Sequence, residues 1–269
     1  MDFFSYTILG LVEGVTEFLP VSSSGHLILA REILGVTANG LAVDAVLQLA
    51  TVLAILVYFW KDILNLFYTA LYLILRKPVR KEDAALLGAL IIGTIPGVIL
   101  GLLLEREMET VFRNSHLVAY ALIAGSVLLL AAEYASKRIG KNLSIVGVGV
   151  WQGLIVGLFQ SLALVPGVSR SGATIAGGLF LGFSRETAAR FGFLLAVPIV
   201  LGSGLKKLFE LSQGGELATL GMPLLWGSVV AFLSGLLAIY ALLAFVRKQP
   251  LYVFIAYRIL MAGAILLFF

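Results

Sequence analysis

The chain has 269 residues and no cysteine. That absence excludes disulfides, thiolate metal sites and a cysteine nucleophile, and leaves the redox compartment open. Charge is scarce as well, since Asp, Glu, Lys and Arg together make 13% of the residues where a soluble domain carries ~25%. Apolar residues, Tyr included and Gly not, reach 60%, and the mean hydropathy is +1.05. A soluble domain of this size has no means of covering itself with so little polar surface. A water-soluble enzyme is therefore excluded, and disorder with it. Lys and Arg number 19 against 15 Asp and Glu, a net charge of +4. So small an excess suits anionic lipid head groups, and nucleic acid is excluded as a partner. What remains is a single polytopic membrane domain over residues 1–269.

A transmembrane helix needs about 20 mostly apolar residues. Six stretches supply them, at about 41–60, 84–104, 116–135, 186–205, 222–245 and 250–268. Asp62–Leu75 is shorter and ends in Arg76-Lys77-Pro78, which suits an interfacial helix or an extension of the preceding span better than a crossing. The first residues do not read as a signal peptide, having Asp2 where a basic region belongs and two Glu in the apolar stretch.

Two further apolar regions are interrupted. Residues 3–34 contain Glu13, Glu17, Pro20, Ser22-Ser23-Ser24-Gly25 and His26, and residues 147–182 contain Gln160, Pro166-Gly167, Ser169-Arg170-Ser171-Gly172 and Thr174. Proline disfavours helix in the residue before it, while serine and glycine open new helices. Each region thus predicts helix, polar loop, helix, with arms too short to cross, as in a re-entrant hairpin. The two regions also match one another, Gly10-Leu11 with Gly157-Leu158 and Pro20–Gly25 with Pro166–Gly172, mostly 147 positions apart. Ala119-Tyr120 recurs as Ala256-Tyr257. The expected fold is an all-α polytopic membrane protein built of two repeats, about 1–140 and about 145–269. Each repeat is one hairpin plus three spans, and because three is odd the second is inverted relative to the first.

The polar residues in these interruptions carry the chemistry. Glu13 and Glu17 are one helical turn apart on one face, and two carboxylates there call for something cationic between them. Mg²⁺, Ca²⁺ and an arginine such as Arg170 are the candidates. The Ser22–Gly25 and Ser169–Gly172 loops each open a helix whose first N–H groups are free, which serves either as ordinary capping or as an anion site. Two such loops at matching repeat positions favour the anion. Arg170 adds bidentate recognition of a phosphate. His26 lies three residues after Ser23, within one turn, and has three possible roles: taking the Ser23 proton, attacking phosphorus, or protonating a leaving oxygen. His116 has no such company. Arg258, near the start of the last span, reads as a snorkelling or structural residue. Four Gly-xxx-Gly stripes, beginning at Gly10, Gly97, Gly153 and Gly178, serve internal packing or a dimer.

Glu13-Gly-Val-Thr-Glu17-Phe-Leu-Pro-Val-Ser22-Ser23-Ser24-Gly25-His26 and Pro166-Gly167-Val168-Ser169-Arg170-Ser171-Gly172-Ala173-Thr174 resemble the two motifs of the bacitracin-resistance type undecaprenyl-diphosphate phosphatases. The resemblance runs through Phe254-Ile-Ala-Tyr257-Arg258, over essentially the whole chain. It implies hydrolysis of undecaprenyl diphosphate to the monophosphate and inorganic phosphate, a divalent cation (Mg²⁺ or Ca²⁺) as cofactor, and residence in the bacterial cytoplasmic membrane. It further implies an inverted-repeat fold with two re-entrant hairpins, and often a homodimer. Glu17, His26, Arg170 and the serines of both loops match essential positions. Glu13 matches a supporting one, and Ser24 is given no role.

Together these readings assign catalysis to Glu17, Ser23, His26 and Arg170. Diphosphate binding falls to Ser22, Ser169, Arg170, Ser171 and Thr174, and metal binding to Glu13 and Glu17. Ser23, His26 and water all stand as possible attacking groups. A transporter or flippase for a phosphorylated lipid is the competing reading, because inverted repeats with broken helices also build transporters. The loops at 61–83, 136–148 and 246–249 carry ten Lys and Arg against five on the other face (Arg31, Arg106, Arg113, Lys206, Lys207). That asymmetry puts the first group in the cytoplasm and opens the first hairpin to the outer face.

Overall fold

A computed structural model describes residues 3–36, 40–104, 114–213 and 216–268. Arg106 and Arg113 of the charge comparison lie outside the described residues. Among those described the chain is helical, without a β-strand. We number the helices α1 (Phe3–Phe18), α2 (Ser23–Leu34), α3 (Gly40–Tyr58), α4 (Trp60–Ile74), α5 (Lys81–Leu103), α6 (Ser115–Ile139), α7 (Val150–Ser161), α8 (Arg170–Phe180), α9 (Arg185–Gln213), α10 (Glu216–Val246) and α11 (Tyr252–Phe268).

Each of the six apolar stretches is a helix. Four of these, α5, α6, α9 and α10, are long and apolar enough by themselves to cross a membrane. Their outward surface is correspondingly greasy, with Leu102, Val127 and Leu237 all more than 60% exposed, as lipid rather than water requires. Pro96 and Pro198 lie within α5 and α9, and α10 is broken at Gly221, whose φ is 42°. Between α3 and α4 the axis turns by 83°, so α4 does not continue the span. Its exposed Trp60, Leu64, Phe67, Tyr68 and Leu71 recur at helical spacing on one face, the pattern of a helix lying along an interface.

The interrupted regions fold as helix, loop, helix. α1 stops before Pro20 and α2 opens at Ser22, while α7 runs through a 3₁₀ turn (Leu162–Leu164) into a loop from which α8 opens at Ser169. The first arms pack in matching ways, α1 along α10 and α7 along α5; α6 pairs with α11, and α3 lies against both α9 and α10. Small residues allow the closest approaches. A Cβ on Gly10 would sit 2.2 Å from the Gly227 carbonyl oxygen, and one on Gly157 would sit 2.1 Å from that of Gly93. The Gly10 and Gly153 stripes are thus spent inside the chain. The Gly178 stripe ends in a turn, since Gly182 holds a φ of 81°. The main apolar core runs from Phe18 and Phe59 through Ile175, Leu179, Phe191 and Phe193 to Leu242. It seats Phe18, the last residue of α1, edge-on against Phe193, with ring centroids 5.3 Å apart.

Candidate active site

Both loops end on a serine forced into a backbone conformation that side chains other than glycine rarely take. Ser22 has φ 76° and Ser169 has φ 74°. Such residues cost on the order of 1–3 kcal/mol each and persist where surroundings over-determine them. Here the determinants are visible. Ser22 Oγ accepts the N–H of Gly25 at 3.4 Å and, across the interface, the N–H of Gly167 at 3.1 Å. Ser169 Oγ accepts the N–H of Gly172 at 3.1 Å. Each serine also meets the hydroxyl two residues on, Ser24 at 3.2 Å and Ser171 at 3.1 Å. Ser171 spends its proton on the Leu19 carbonyl at 2.9 Å, so between Ser169 and Ser171 it is Ser169 that donates.

The tips therefore touch, and Arg258 fixes them together. Its side chain is fully buried. One terminal nitrogen donates to the Pro20 carbonyl at 3.1 Å, the other to the Gly167 and Val168 carbonyls at 3.0 Å each, and Nε to Ser126 Oγ at 3.2 Å. A snorkelling role is thus ruled out, and the structural one holds. Gly125 makes the room, since a Cβ there would lie 2.1 Å from the guanidinium.

Around this joint the structure gathers most of the residues singled out by sequence. Glu17 pairs with Arg170 through one carboxylate oxygen and accepts the Ser23 hydroxyl through the other. Glu17 and Ser23 come from the first hairpin and Arg170 from the second. The proton of Ser23 goes to Glu17 and not to His26. His26 faces elsewhere: its Nδ1 meets the Ser22 carbonyl at 2.7 Å and its Nε2 the Tyr257 hydroxyl at 2.7 Å. Carbonyls only accept, so Nδ1 carries a proton and neutral Nε2 accepts from Tyr257. The two rings stack, 4° from parallel. Tyr257 was not among the candidates; its recurrence as part of the repeated Ala-Tyr pair was the available signal. Thr174 is buried and donates to its own helix, to the Arg170 carbonyl at 3.0 Å. A narrow cavity opens beside the cluster, lined by Glu17, Arg170 and Ser171 and by the apolar Ile55, Phe193 and Ala196.

Glu13 behaves unlike Glu17. It is fully buried and neither carboxylate oxygen has a hydrogen-bond partner. Gln160, its counterpart at the same 147-residue offset, is buried too, with both amide atoms unpartnered. Buried polar atoms without partners are rare, and an unpaired carboxylate fits a cation beside it. Among the described residues no three His, Asp or Glu side chains gather as a cage for a metal ion. A hard cation held by one or two carboxylates and by phosphate oxygens needs no such cage.

An all-helical, multi-pass membrane protein with a polar cluster sealed between two broken-helix tips is the class that fold and site define. The chain belongs to the family described as bacitracin resistance protein BacA, whose model matches residues 6–264. It is 43% identical over 99% of its length to the undecaprenyl-diphosphatase of Geobacter sulfurreducens, covering 98% of that protein. Similar matches reach the proteins of that name from Mycolicibacterium smegmatis, at 44% identity over 99% of this chain and 96% of the relative, and from Chloroherpeton thalassium, at 42% over 97% and 94%.

Proposed function

We propose that this chain is an integral membrane phosphatase that hydrolyses undecaprenyl diphosphate to undecaprenyl phosphate and inorganic phosphate, returning a lipid carrier to cell-wall synthesis. The observation that carries the reading is the junction of Glu17, Ser23 and Arg170 across two hairpin tips, beside a cavity lined by both polar and apolar side chains. A substrate with a charged head and an isoprenoid tail suits such a mixed lining, and it explains why the enzyme belongs in a membrane. Full-length relatives carrying this activity in their names support it.

In this reading the diphosphate takes the place of Glu17 on Arg170, whose planar fork holds two phosphate oxygens. The helix N-termini at Ser22 and Ser169 add a favourable field for the same anion. Ser23 attacks the terminal phosphorus and passes its proton to Glu17. The Ser23 Oγ–P bond forms, the anhydride P–O bond breaks, and undecaprenyl phosphate leaves. Water then splits the phosphoserine and frees phosphate, with His26 as the base once its Nε2 exchanges the Tyr257 hydroxyl for that water. Glu13 and Glu17 would hold a divalent cation, which supplies charge neutralisation at the phosphate oxygens.

The halves are taken as inverted repeats, on the strength of the matched packing of α1 on α10 and α7 on α5 and of the paired Ser22 and Ser169 geometry. The protein is placed in the bacterial cytoplasmic membrane. The richer Lys and Arg face lies in the cytoplasm, and the first hairpin opens outward.

Purified protein is expected to release phosphate from a polyprenyl diphosphate with Mg²⁺ or Ca²⁺ present and to stop in chelator. Undiminished release in chelator would remove Glu13 and Glu17 from metal duty, and no release from folded protein would return the transporter reading. Rapid quench with labelled substrate is expected to leave label on Ser23; label on His26, or none on the protein, would assign the attack to His26 or to water. With Ser24→Cys, the one thiol in the chain, an impermeant reagent should label spheroplasts and not sealed inside-out vesicles.

A further inference from the structure

A second polar cleft lies at the 83° elbow between α3 and α4 and shares no residue with the hairpin tips. Its charged lining comes from three places in the chain: Lys61 and Asp62 at the elbow, Glu186 and Arg190 on the first turns of α9, and Arg247 just past α10. Arg190 bonds Asp62 at 2.5 Å and Arg247 bonds Glu186 at 2.7 Å. That leaves Lys61 with no carboxylate partner among the described residues; its ammonium sits over the Trp60 ring at 5.5 Å. Three cations thus face two carboxylates. Arg190 also has a buried Nε–H that no acceptor meets, in a guanidinium held against the Phe59 ring. A buried donor without an acceptor is rare enough in folded proteins to require an explanation.

We infer that this cleft binds the phosphodiester of an anionic phospholipid head group. The Arg190 Nε–H and the Lys61 ammonium supply the donors such a phosphate lacks. Asp62 and Glu186 have lone pairs left for the hydroxyls of a glycerol head group, and the surrounding cations disfavour choline. The depth fits: Trp60 is half exposed, indole rings favour the head-group level, and α4 leaves the elbow with an apolar face outward. The cleft also lies at the chain's richer Lys and Arg end, where anionic lipid is attracted. The inference does not rest on the phosphatase reading.

Native mass spectrometry of the full chain in detergent, titrated with phosphatidylglycerol or phosphatidylcholine of equal acyl length, tests it. The first phosphatidylglycerol is expected to bind at least about fivefold more tightly than phosphatidylcholine, and Lys61→Gln to weaken it about fivefold, the worth of one cation near a lipid surface. Arg190→Gln should weaken it further. Should that variant fail to fold for want of its Asp62 pair, Lys61→Gln decides alone, because Lys61 gives up no carboxylate. Equal binding of the two lipids, or a Lys61→Gln protein that retains phosphatidylglycerol as the parent does, overturns the inference. So does displacement of the lipid by millimolar inorganic phosphate, which would make the cleft a free-phosphate site.

Discussion

At the first tip Ser22 holds φ at 76° and caps α2; at the second, Ser169 holds φ at 74° and caps α8. Each hydroxyl takes the N–H three residues on and touches the hydroxyl two residues on. With the backbone repeated, the side chains diverge. Glu17, Ser23 and His26 flank the first tip, offering acceptors and a hydroxyl, while the second offers Arg170. Nine residues before each capping serine, the first arm has Glu13 where the second has Gln160. In the proposed mechanism two turns of one backbone shape divide the work, with proton handling on one side and charge on the other. Neither tip holds the set alone, and the Glu17–Arg170 pair is the seam.

The largest effect should come from what the tips share. Arg258→Leu removes the donors to the Pro20, Gly167 and Val168 carbonyls at once, and we expect a loss of about 3–5 kcal/mol or failure to fold, read as thermal denaturation in detergent. A variant with parental stability would mean that the tips hold together without the clamp. Next, Arg170→Lys should lower turnover at least ~100-fold while the protein keeps its fold, since a point charge does not replace the fork. Near-parental turnover would end the division of labour described here.

A smaller difference separates the two capping serines. Ser22→Ala strands the Gly167 N–H as well as the cap, a cost of about 2 kcal/mol, whereas Ser169→Ala loses the cap for about 1 kcal/mol. Equal losses would show the tips to be more alike than their cross-contacts suggest. The smallest effect is expected at Tyr257→Phe, which keeps the ring stack and removes one hydrogen bond to His26. Turnover should fall by no more than about threefold, with steady-state kinetics as the measure.

Local chemistry was readable in advance. Pro20, the serine–glycine runs and Arg76-Lys77-Pro78 break helices through backbone effects that need no distant partner, so the broken arms and the short α4 could be anticipated. Hydropathy likewise marked all six long or apolar helices. Helix periodicity misled where the helix stops. Ser23 and His26 are neighbours by spacing, yet the turn at Pro20 swings Ser23 back onto Glu17, six residues earlier. Periodicity also gave Glu13 and Glu17 a common face, but not their unequal surroundings, which depend on where Arg170 arrives from the other half. Arg258 was least legible, because its partners are mostly carbonyls, and a carbonyl is the same whatever residue bears it. The match of Gln160 with Glu13 gained meaning only when both were found buried and unpartnered.

The position of Arg258 in the chain bears on how the protein is made. It sits on α11, synthesised after the other helices described, while the carbonyls it binds belong to loops synthesised some 90 and more than 230 residues earlier. Until α11 inserts, the two tips have no common anchor, and each strained serine lacks part of what holds it. A chain arrested before that helix is thus expected to insert its earlier membrane segments and yet stay inert, so hydrolytic competence waits for α11 and spares the membrane an active but half-built enzyme.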